Sequence, residues 1–227
     1  MKKLTAILMA LTMALVLAAC SGSEETVTSE PKAQEAVSQN AGTGTSPLEG
    51  KTLVAYFCTR NNAKVLDGAD ATSSASLTTV DGKDYGNSEL LAQYAADATG
   101  GDVFSIETVK QYPDKYTATT EVAQEELNEN ARPELKNTVP NMEEYENIVL
   151  IYPMWWGDMP MGVCTFLESY DFSGKTIYPI STHLGSGLGS SVATIQKLVK
   201  GADIKDGLEV SGSAVAGAET DVQDYLK

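Results

Sequence analysis

The chain has 227 residues, and its 31 acidic and 16 basic side chains give a formal net charge of −15 at pH 7. This balance argues against nucleic acid as a partner, because nucleic-acid binding depends on a basic surface. It also disfavours electrostatic attraction to anionic lipid and suits steering toward a basic protein partner.

The first 19 residues have the order of a secretory signal peptide. Two lysines precede an apolar run from Leu4 to Ala19, which is too short to span a membrane comfortably as a permanent helix. The segment Leu17-Ala18-Ala19-Cys20 resembles the lipobox of bacterial lipoproteins, which implies removal of residues 1–19 and lipidation of Cys20. The alternative is an ordinary signal peptide with an incidental cysteine. Cleavage would remove two of the 16 basic residues and leave 14 against 31 acidic ones, a net charge of −17.

Residues 20–49 are expected to be the lipidated cysteine and a flexible tether. From Ser21 to Glu49 the sequence is mostly Ser, Glu, Thr, Ala, Gln, Gly and Pro. Such a segment cannot bury enough apolar surface to offset its loss of conformational entropy. We therefore expect a protein held by its lipid on the extracytoplasmic face of the cell membrane.

From residue 50 onward, short apolar segments alternate with helical stretches. In chain order the predicted strands are Thr52–Cys58, Asp102–Glu107, Asn147–Tyr152, Thr176–Ile180 and Leu208–Ser211, and the predicted helices are Ser88–Ala98, Tyr116–Asn128, Met161–Tyr170, Gly189–Leu198 and Glu219–Leu226. Apolar strands separated by helices predict an α/β domain over residues 50–227, with a parallel sheet covered on both faces. Five strands and five helices predict a doubly wound five-stranded sheet in the order 2-1-3-4-5. The Rossmann dinucleotide fold is disfavoured because no GxGxxG follows the first strand.

A long polar segment, Thr59 to Asn87, separates the first strand from the first helix. Loops of this length in compact domains are usually functional or disordered. Within it, Leu77 to Lys83 is predicted to form a small hairpin with Asp81-Gly82 at its turn.

The chain has three cysteines and one histidine. If Cys20 is lipidated, Cys58 and Cys164 are too few for a disulfide framework, although one disulfide between them stays open. The sequence has no CxxC, HExxH or clustered His/Cys pattern, so we expect no metal site and no catalytic triad.

Three segments that follow predicted strands are candidates for one binding site, because ligands of open α/β sheets bind outside the carboxyl ends of the strands. The first is Cys58-Thr59-Arg60, continued across the insertion by Tyr85-Gly86-Asn87-Ser88. Asn87 or Ser88 can cap the following helix, and a helix N-terminus can bind phosphate, with Arg60 as a charged donor. The alternative is a helix cap alone.

The second segment, Tyr152 to Pro160, carries both tryptophans, Trp155 and Trp156, followed by a glycine. Two adjacent indoles at a strand end suggest cover for a planar ring, and core packing is the alternative. The third segment, Ser181 to Gly189, contains three glycines that permit close backbone approach. Its hydroxyl and N–H groups can satisfy the polar edge of a heteroaromatic ring.

Residues 50–227 resemble the bacterial flavodoxin-like proteins that bind FMN. The matching motifs are Tyr112-Pro113, Ala131-Arg132-Pro133, the run from Tyr152 to Met161, the run from Thr165 to Thr176, and Thr182-His183 with Gly185-Ser186-Gly187-Leu188-Gly189. The resemblance implies a flavodoxin-like fold with noncovalently bound FMN. It implies that the FMN phosphate is held by Cys58, Arg60, Asn87 and Ser88. One wall of the isoalloxazine ring would be formed by Pro153, Met154, Trp155, Trp156 and Gly157. The other edge of the ring would be lined by Thr182, His183, Gly185, Ser186 and Gly187.

The phosphate segment departs from the family pattern Ser-x-Thr-Gly-Asn-Thr. Cys58 stands where many members have serine, and the insertion precedes Gly86-Asn87-Ser88. A thiol is a poorer hydrogen-bond donor than a hydroxyl, which predicts weaker FMN binding unless Arg60 compensates.

The resemblance implies an electron carrier in which no side chain acts as an acid or a nucleophile. A strongly acidic shell is expected to disfavour negative charge on the reduced flavin and to lower its potential. The expected partners are a redox protein or a small electron acceptor, and the membrane through the lipid. One alternative is an FMN-dependent NAD(P)H/quinone-type reductase, in which His183 and the 59–86 loop shape a substrate pocket. Another is a flavin-free binding lipoprotein that retains the fold.

Overall fold

The structure is a computed structural model that describes residues 37–38, 46–63 and 76–227. The predicted signal peptide, Cys20 and most of the predicted tether lie outside these residues. Within the described part of the chain, no helix is both long and apolar enough to cross a membrane.

The described residues form a mixed α/β arrangement around one large sheet. The strands are β1 Val37–Ser38, β2 Thr52–Tyr56, β3 Leu77–Val80, β4 Lys83–Gly86, β5 Asp102–Ser105, β6 Asn147–Pro153, β7 Thr176–His183, β8 Asp203–Ile204 and β9 Leu208–Ser211. The helices are α1 Thr59–Asn62, α2 Asn87–Thr99, α3 Tyr116–Glu129, α4 Met161–Glu168, α5 Ser191–Leu198 and α6 Glu219–Tyr225. The large sheet runs β1-β5-β2-β6-β7-β8, with β9 also paired to β7. All its neighbours are parallel except β1 and β5, which confirms the predicted fold class.

The sheet has seven strands, so the prediction of five was wrong in number. The predicted strands correspond to β2, β5, β6, β7 and β9, which lie in the order β5-β2-β6-β7-β9. The two additional strands, β1 and β8, have two residues each. β8 pairs with the first part of β7, and the predicted strand β9 pairs with its last part. Segments this short carry too little hydrophobic periodicity to be recognised in a sequence.

The other additional strand, β1, falls inside the predicted tether. Val37 pairs with Phe104 and Ser38 with Val103 of β5, and Val37 packs against the hydrophobic core. The prediction of an unstructured tether is therefore wrong at these two residues. The predicted tether segments 21–36 and 39–45 lie outside the described residues.

The core occupies both faces of the sheet, because neighbouring residues of a strand point to opposite sides. Leu53 and Ile148 belong to one buried cluster, whereas Val54 and Val149 belong to the other. This burial on both faces explains why β2 and β6 read as continuous apolar runs.

The hairpin predicted inside the polar insertion is present as β3 and β4, with Val80 opposite Lys83. Asp81 and Gly82 at its turn have φ values of 52° and 77°. Positive φ at both central positions is the geometry that the Asp-Gly pair favours in two-residue hairpins. β4 ends at Gly86 and α2 begins at Asn87, so the hairpin positions the start of that helix.

Candidate functional site

Both tryptophans lie in a tight turn, residues 155–158, between β6 and α4. The Trp155 N–H donates to the Asp158 carbonyl over 2.8 Å, and the Asp158 N–H donates back over 3.1 Å. The two central residues, Trp156 and Gly157, have φ values of 55° and 80°. A bulky side chain at positive φ is uncommon, and such backbone strain of about 1–3 kcal/mol tends to persist at functional sites.

The two indoles lie in different environments: Trp155 packs against the hydrophobic core, as the alternative interpretation predicts, whereas Trp156 lies at the exposed edge of the turn. Trp155 packs edge-on against Phe57 and Tyr112, with ring centroids 5.5 and 5.0 Å away. Trp156 is 55% exposed, and its Nε1–H donates to the Thr120 carbonyl of α3 over 2.9 Å. Trp155 therefore anchors the turn, and Trp156 spans from the turn to α3.

The tryptophan turn is hydrogen-bonded to the start of α5. The Asp158 carboxylate accepts hydrogen bonds from the Ser190 hydroxyl at 3.0 Å and the Thr194 hydroxyl at 2.6 Å. The Gly157 carbonyl accepts the Ser190 N–H at 2.9 Å. A Cβ at Gly189 would fall within 2.2 Å of that carbonyl, so glycine at 189 permits the close approach of the two loops.

A cavity of about 390 Å³ lies among the tryptophan turn, α3 and the loop after β7. This volume is within the range of small-molecule sites, about 300–1,000 Å³. Of the predicted cofactor residues, those that line it are Pro153, Met154, Trp155, Trp156, Thr182, His183 and Ser186. The predicted glycines 157, 185 and 187 shape the backbone of the same two loops without lining the cavity.

Thr182 places a polar group in this cavity wall. Its hydroxyl is buried and has no hydrogen-bond partner among the described residues. A buried polar group left without a partner costs about 1–3 kcal/mol. The hydroxyl therefore fits a ligand with a polar edge, and the neighbouring tryptophans fit a flat ring.

Cys58 does not line the cavity. Its side chain is 1% exposed, and a Cβ added to Gly86 would lie 2.0 Å from its sulfur. Burial raises the pKa of the thiol to about 11, against the opposing effect of nearby backbone N–H groups such as that of Arg60. Cys58 thus joins the end of β2 to the start of α2 as a neutral packing residue. Cys164 is also a free, buried thiol, so the structure has no disulfide between the two.

Arg60 does not line the cavity either. Its Nη1 donates to the Asp84 carbonyl over 2.5 Å and lies 3.5 Å from the Glu89 carboxylate. Glu89 in turn accepts the Gly86 N–H over 2.9 Å and caps α2. Arg60 therefore ties α1 to the hairpin rather than offering a free cation.

The start of α2 reaches the cavity through a residue that the sequence did not single out. Asn87 and Ser88 are buried at this helix start, and the Asn87 N–H donates to the Ser76 carbonyl over 2.9 Å. Ser76 lines the cavity, as does Thr59 of α1. The hydroxyl residues at this end of the cavity are thus Thr59 and Ser76.

One wall of the cavity is helix α3, which sequence reasoning missed. The lining residues are Tyr116, Thr119, Thr120 and Ala123. Their spacing of three, four and seven positions puts them on one face of the helix. That spacing is visible in the sequence, but these residue types do not distinguish a ligand wall from ordinary packing.

Asn62 is a further residue that the sequence did not reveal. It is fully buried, and its amide donates to the carbonyls of Cys58 at 3.0 Å and Ile106 at 2.9 Å. Its side-chain oxygen accepts the Thr108 N–H at 2.8 Å and the Thr108 hydroxyl at 3.2 Å. Asn62 therefore holds α1 against the segment after β5.

The family model for flavodoxin matches residues 77–226. The chain belongs to the flavodoxin family. This assignment supports FMN, the cofactor of flavodoxins, as the cofactor expected here. The match contains the tryptophan turn, α3 and the loop after β7, whereas β2, Cys58 and Arg60 precede it.

Solved structures of flavodoxin-like proteins resemble the chain over most of its length. A protein described as a flavoprotein from Bacteroides eggerthii DSM 20697 is 24% identical, with 76% of this chain and 98% of that chain covered and a TM-score of 0.53. One described as a flavoprotein from Bacteroides uniformis ATCC 8492 is 25% identical, with coverages of 74% and 96% and a TM-score of 0.52. A flavoprotein from Lactobacillus acidophilus NCFM, solved in complex with FMN, is 15% identical, with coverages of 74% and 97% and a TM-score of 0.48. The comparison with curated proteins gives no match.

The flavodoxin-family site contains no cluster of metal-binding groups in the described residues. There, no three or more His, Cys, Asp and Glu side chains lie so as to hold a metal ion.

Proposed function

We propose that the chain binds FMN noncovalently in the cavity and carries electrons on the extracytoplasmic face of the cell membrane, attached by a lipid on Cys20. The main support is the cavity itself, which is lined by Trp156 and by Thr182 with its unpartnered hydroxyl, in a chain of the flavodoxin family. When bound, FMN supplies the redox chemistry, and the protein supplies orientation and electrostatics.

The ring end of the site is formed by residues from two strand ends. Pro153 to Trp156 provide one wall, and Thr182 supplies the hydroxyl for a polar ring edge. Tyr116, Trp156 and Leu184 line the cavity and are 47%, 55% and 59% exposed. A ligand held there stays accessible to a redox partner, which supports a carrier.

The phosphate end is assigned to Thr59, Ser76 and the start of α2. The hydroxyl residues line the cavity, and Ser76 is bonded to the first N–H of that helix. Because that first N–H is already bonded, the phosphate would be held by the two hydroxyl residues, with the dipole of α2 favouring its negative charge. Cys58 and Arg60 support this end indirectly by holding α1 and the hairpin together.

The spectrum of the purified protein tests the proposed cofactor. The protein should take up FMN, and Trp156→Ala should weaken binding about 10- to 100-fold, because stacking on an aromatic side chain contributes about 1–3 kcal/mol. Trp156→Phe should retain most of the affinity. Val109, which is 55% exposed and does not line the cavity, gives the matched control Val109→Ala. Absence of FMN uptake, or equal affinities for Trp156→Ala and Val109→Ala, would contradict the proposal. Oxidation of NAD(P)H by the protein alone would favour a reductase over a carrier.

The proposed membrane attachment rests on the order of residues 1–20. In cells, the wild-type chain should fractionate with the membrane, and Cys20→Ser should release it into the soluble extracytoplasmic fraction, because a net charge of −17 gives no electrostatic hold on anionic lipid. Cys58→Ser is the matched control. Membrane retention of a Cys20→Ser chain that has lost residues 1–19 would exclude lipid attachment at this cysteine as the cause.

A further inference from the structure

His183 is the only histidine of the chain, and its imidazole lines the cavity with 11% of the side chain exposed. The Gly185 N–H donates to Nδ1 over 2.9 Å. Because a neutral imidazole has one donor and one acceptor nitrogen, this bond places the ring proton on Nε2. A second proton can bind only at Nδ1, where it replaces the bond from Gly185.

A carboxylate stands beside the other nitrogen. Glu209 of β9 holds one oxygen 4.0 Å from Nε2, and its side chain is 60% exposed. A Cβ added to Gly187 would lie 2.2 Å from that oxygen, so glycine at 187 leaves the space that the carboxylate occupies. The loop after β7 therefore accommodates an imidazole–carboxylate pair whose outer member is in contact with solvent.

Among the lining residues that the structure describes, no side chain other than His183 can carry positive charge. They include no lysine or arginine, and the one other titratable side chain among them is Tyr116 of α3. The nearby Asp158 carboxylate of the tryptophan turn is bonded to Ser190 and Thr194. Among the described residues that line the cavity, His183 is therefore the side chain that can become a cation next to negative charge entering the cavity.

We propose that His183 takes up a proton when the redox ligand of the cavity is reduced, and that Glu209 stabilises the resulting imidazolium. This inference rests on the proposed function. Two electrons pass from an external reductant, dithionite in the test, to the ligand. The ligand takes up one proton with the two electrons and so gains one negative charge. A second proton passes from water to Nδ1 of His183, and the hydrogen bond from Gly185 is released; the oxidation of dithionite to sulfite in water supplies both protons. The imidazolium then offsets one unit of the negative charge gained by the ligand, and its Nε2–H faces the Glu209 carboxylate.

NMR of the full chain measures this protonation directly. With a tag that contains no histidine, His183 gives the only imidazole signals of the protein. Free imidazole changes charge near neutral pH, so the titration can be followed in oxidised and reduced FMN-loaded protein. The titration midpoint should rise by about one pH unit on reduction, which is the effect of an opposite charge a few ångströms away.

The midpoint potential of bound FMN gives the reciprocal measurement. Below the midpoint of the reduced protein's imidazole titration, the wild-type potential should exceed that of His183→Asn, and the two should converge at higher pH. Asparagine keeps an acceptor for the Gly185 N–H, and the exposed Glu209→Gln serves if the first variant does not fold. Glu219→Gln on α6, outside the cavity lining, controls for the change in net charge.

The outcomes separate the two proposals. Equal imidazole titrations in both redox states, with parallel wild-type and His183→Asn potentials, overturn the role of His183 alone. A chain that takes up no FMN overturns the proposed function together with this inference. A potential change in Glu219→Gln as large as that in Glu209→Gln reduces the effect to net charge and overturns the specific role of Glu209.

Discussion

Asn62→Asp should lower the free energy of unfolding by about 3–5 kcal/mol, the usual cost of leaving a charge buried and unpaired. The two side chains have nearly the same shape, but the carboxylate cannot donate to the carbonyls of Cys58 and Ile106, which Asn62 now serves at 3.0 and 2.9 Å. It would instead place negative charge against both oxygens. Urea denaturation measures the loss, and FMN titration should show weaker binding because α1 is released.

The effect of Asn62→Asp should also depend on pH. A protonated carboxyl can donate one hydrogen bond, so the deficit relative to wild type should shrink as the pH falls and the carboxyl takes up its proton. Asn128→Asp, on the exposed surface of α3, is the matched control and should cost less than about 1 kcal/mol. Equal losses for the two variants would show that the buried hydrogen bonds of Asn62 contribute little.

Gly189→Ala should cost about 3 kcal/mol or more and weaken FMN binding at least tenfold. Its Cβ would lie 2.2 Å from the Gly157 carbonyl and 2.7 Å from the Met154 methyl group, and its φ of 48° is unfavourable for alanine. Overpacking costs about 1–3 kcal/mol, and a left-handed backbone adds about 1–2 kcal/mol for a residue with a Cβ. Because the Gly157 carbonyl cannot yield without moving the tryptophan turn, the cavity wall should shift with it.

Gly217→Ala provides the comparison for Gly189→Ala, because its φ is not positive and no atom lies within 4 Å of the added Cβ. This control should change stability by less than about 1 kcal/mol, with a gain expected if the backbone tolerates alanine. A Gly189→Ala protein that loses stability but binds FMN as tightly as wild type would show that the position of the tryptophan turn does not determine FMN affinity. Thermal unfolding and flavin titration of the same preparations distinguish these cases.

The large elements could be predicted from the sequence because their apolar patterns are long. The run around Val149 and Ile151 identifies a central strand, and the Asp81-Gly82 pair identifies the hairpin. The tryptophan turn could be placed at a strand end because it directly follows such a run. These features depend on local sequence, which is what periodicity and turn rules read.

The parts of the site that depend on distant contacts could not be predicted. The sequence does not show that the hairpin brings Gly86 onto the sulfur of Cys58, which turns an expected phosphate contact into a packing residue. Nor does it show that Asn62 reaches Thr108, 46 positions away. The α3 wall was missed for the same reason, because its threonines become candidate ligand contacts only once the fold places them opposite Trp156.

The pairing of Val37 and Ser38 with β5 limits how far the sheet could lie from a lipid on Cys20. An extended chain spans at most about 3.3–3.6 Å per residue, so the stretch from Cys20 to Val37 reaches about 60 Å, against about 110 Å from Cys20 to the start of β2 at Thr52. With a lipid on Cys20, two residues of edge strand nearly halve the greatest distance between the membrane and the sheet. Electron exchange would then be confined to partners that themselves stay close to the membrane surface.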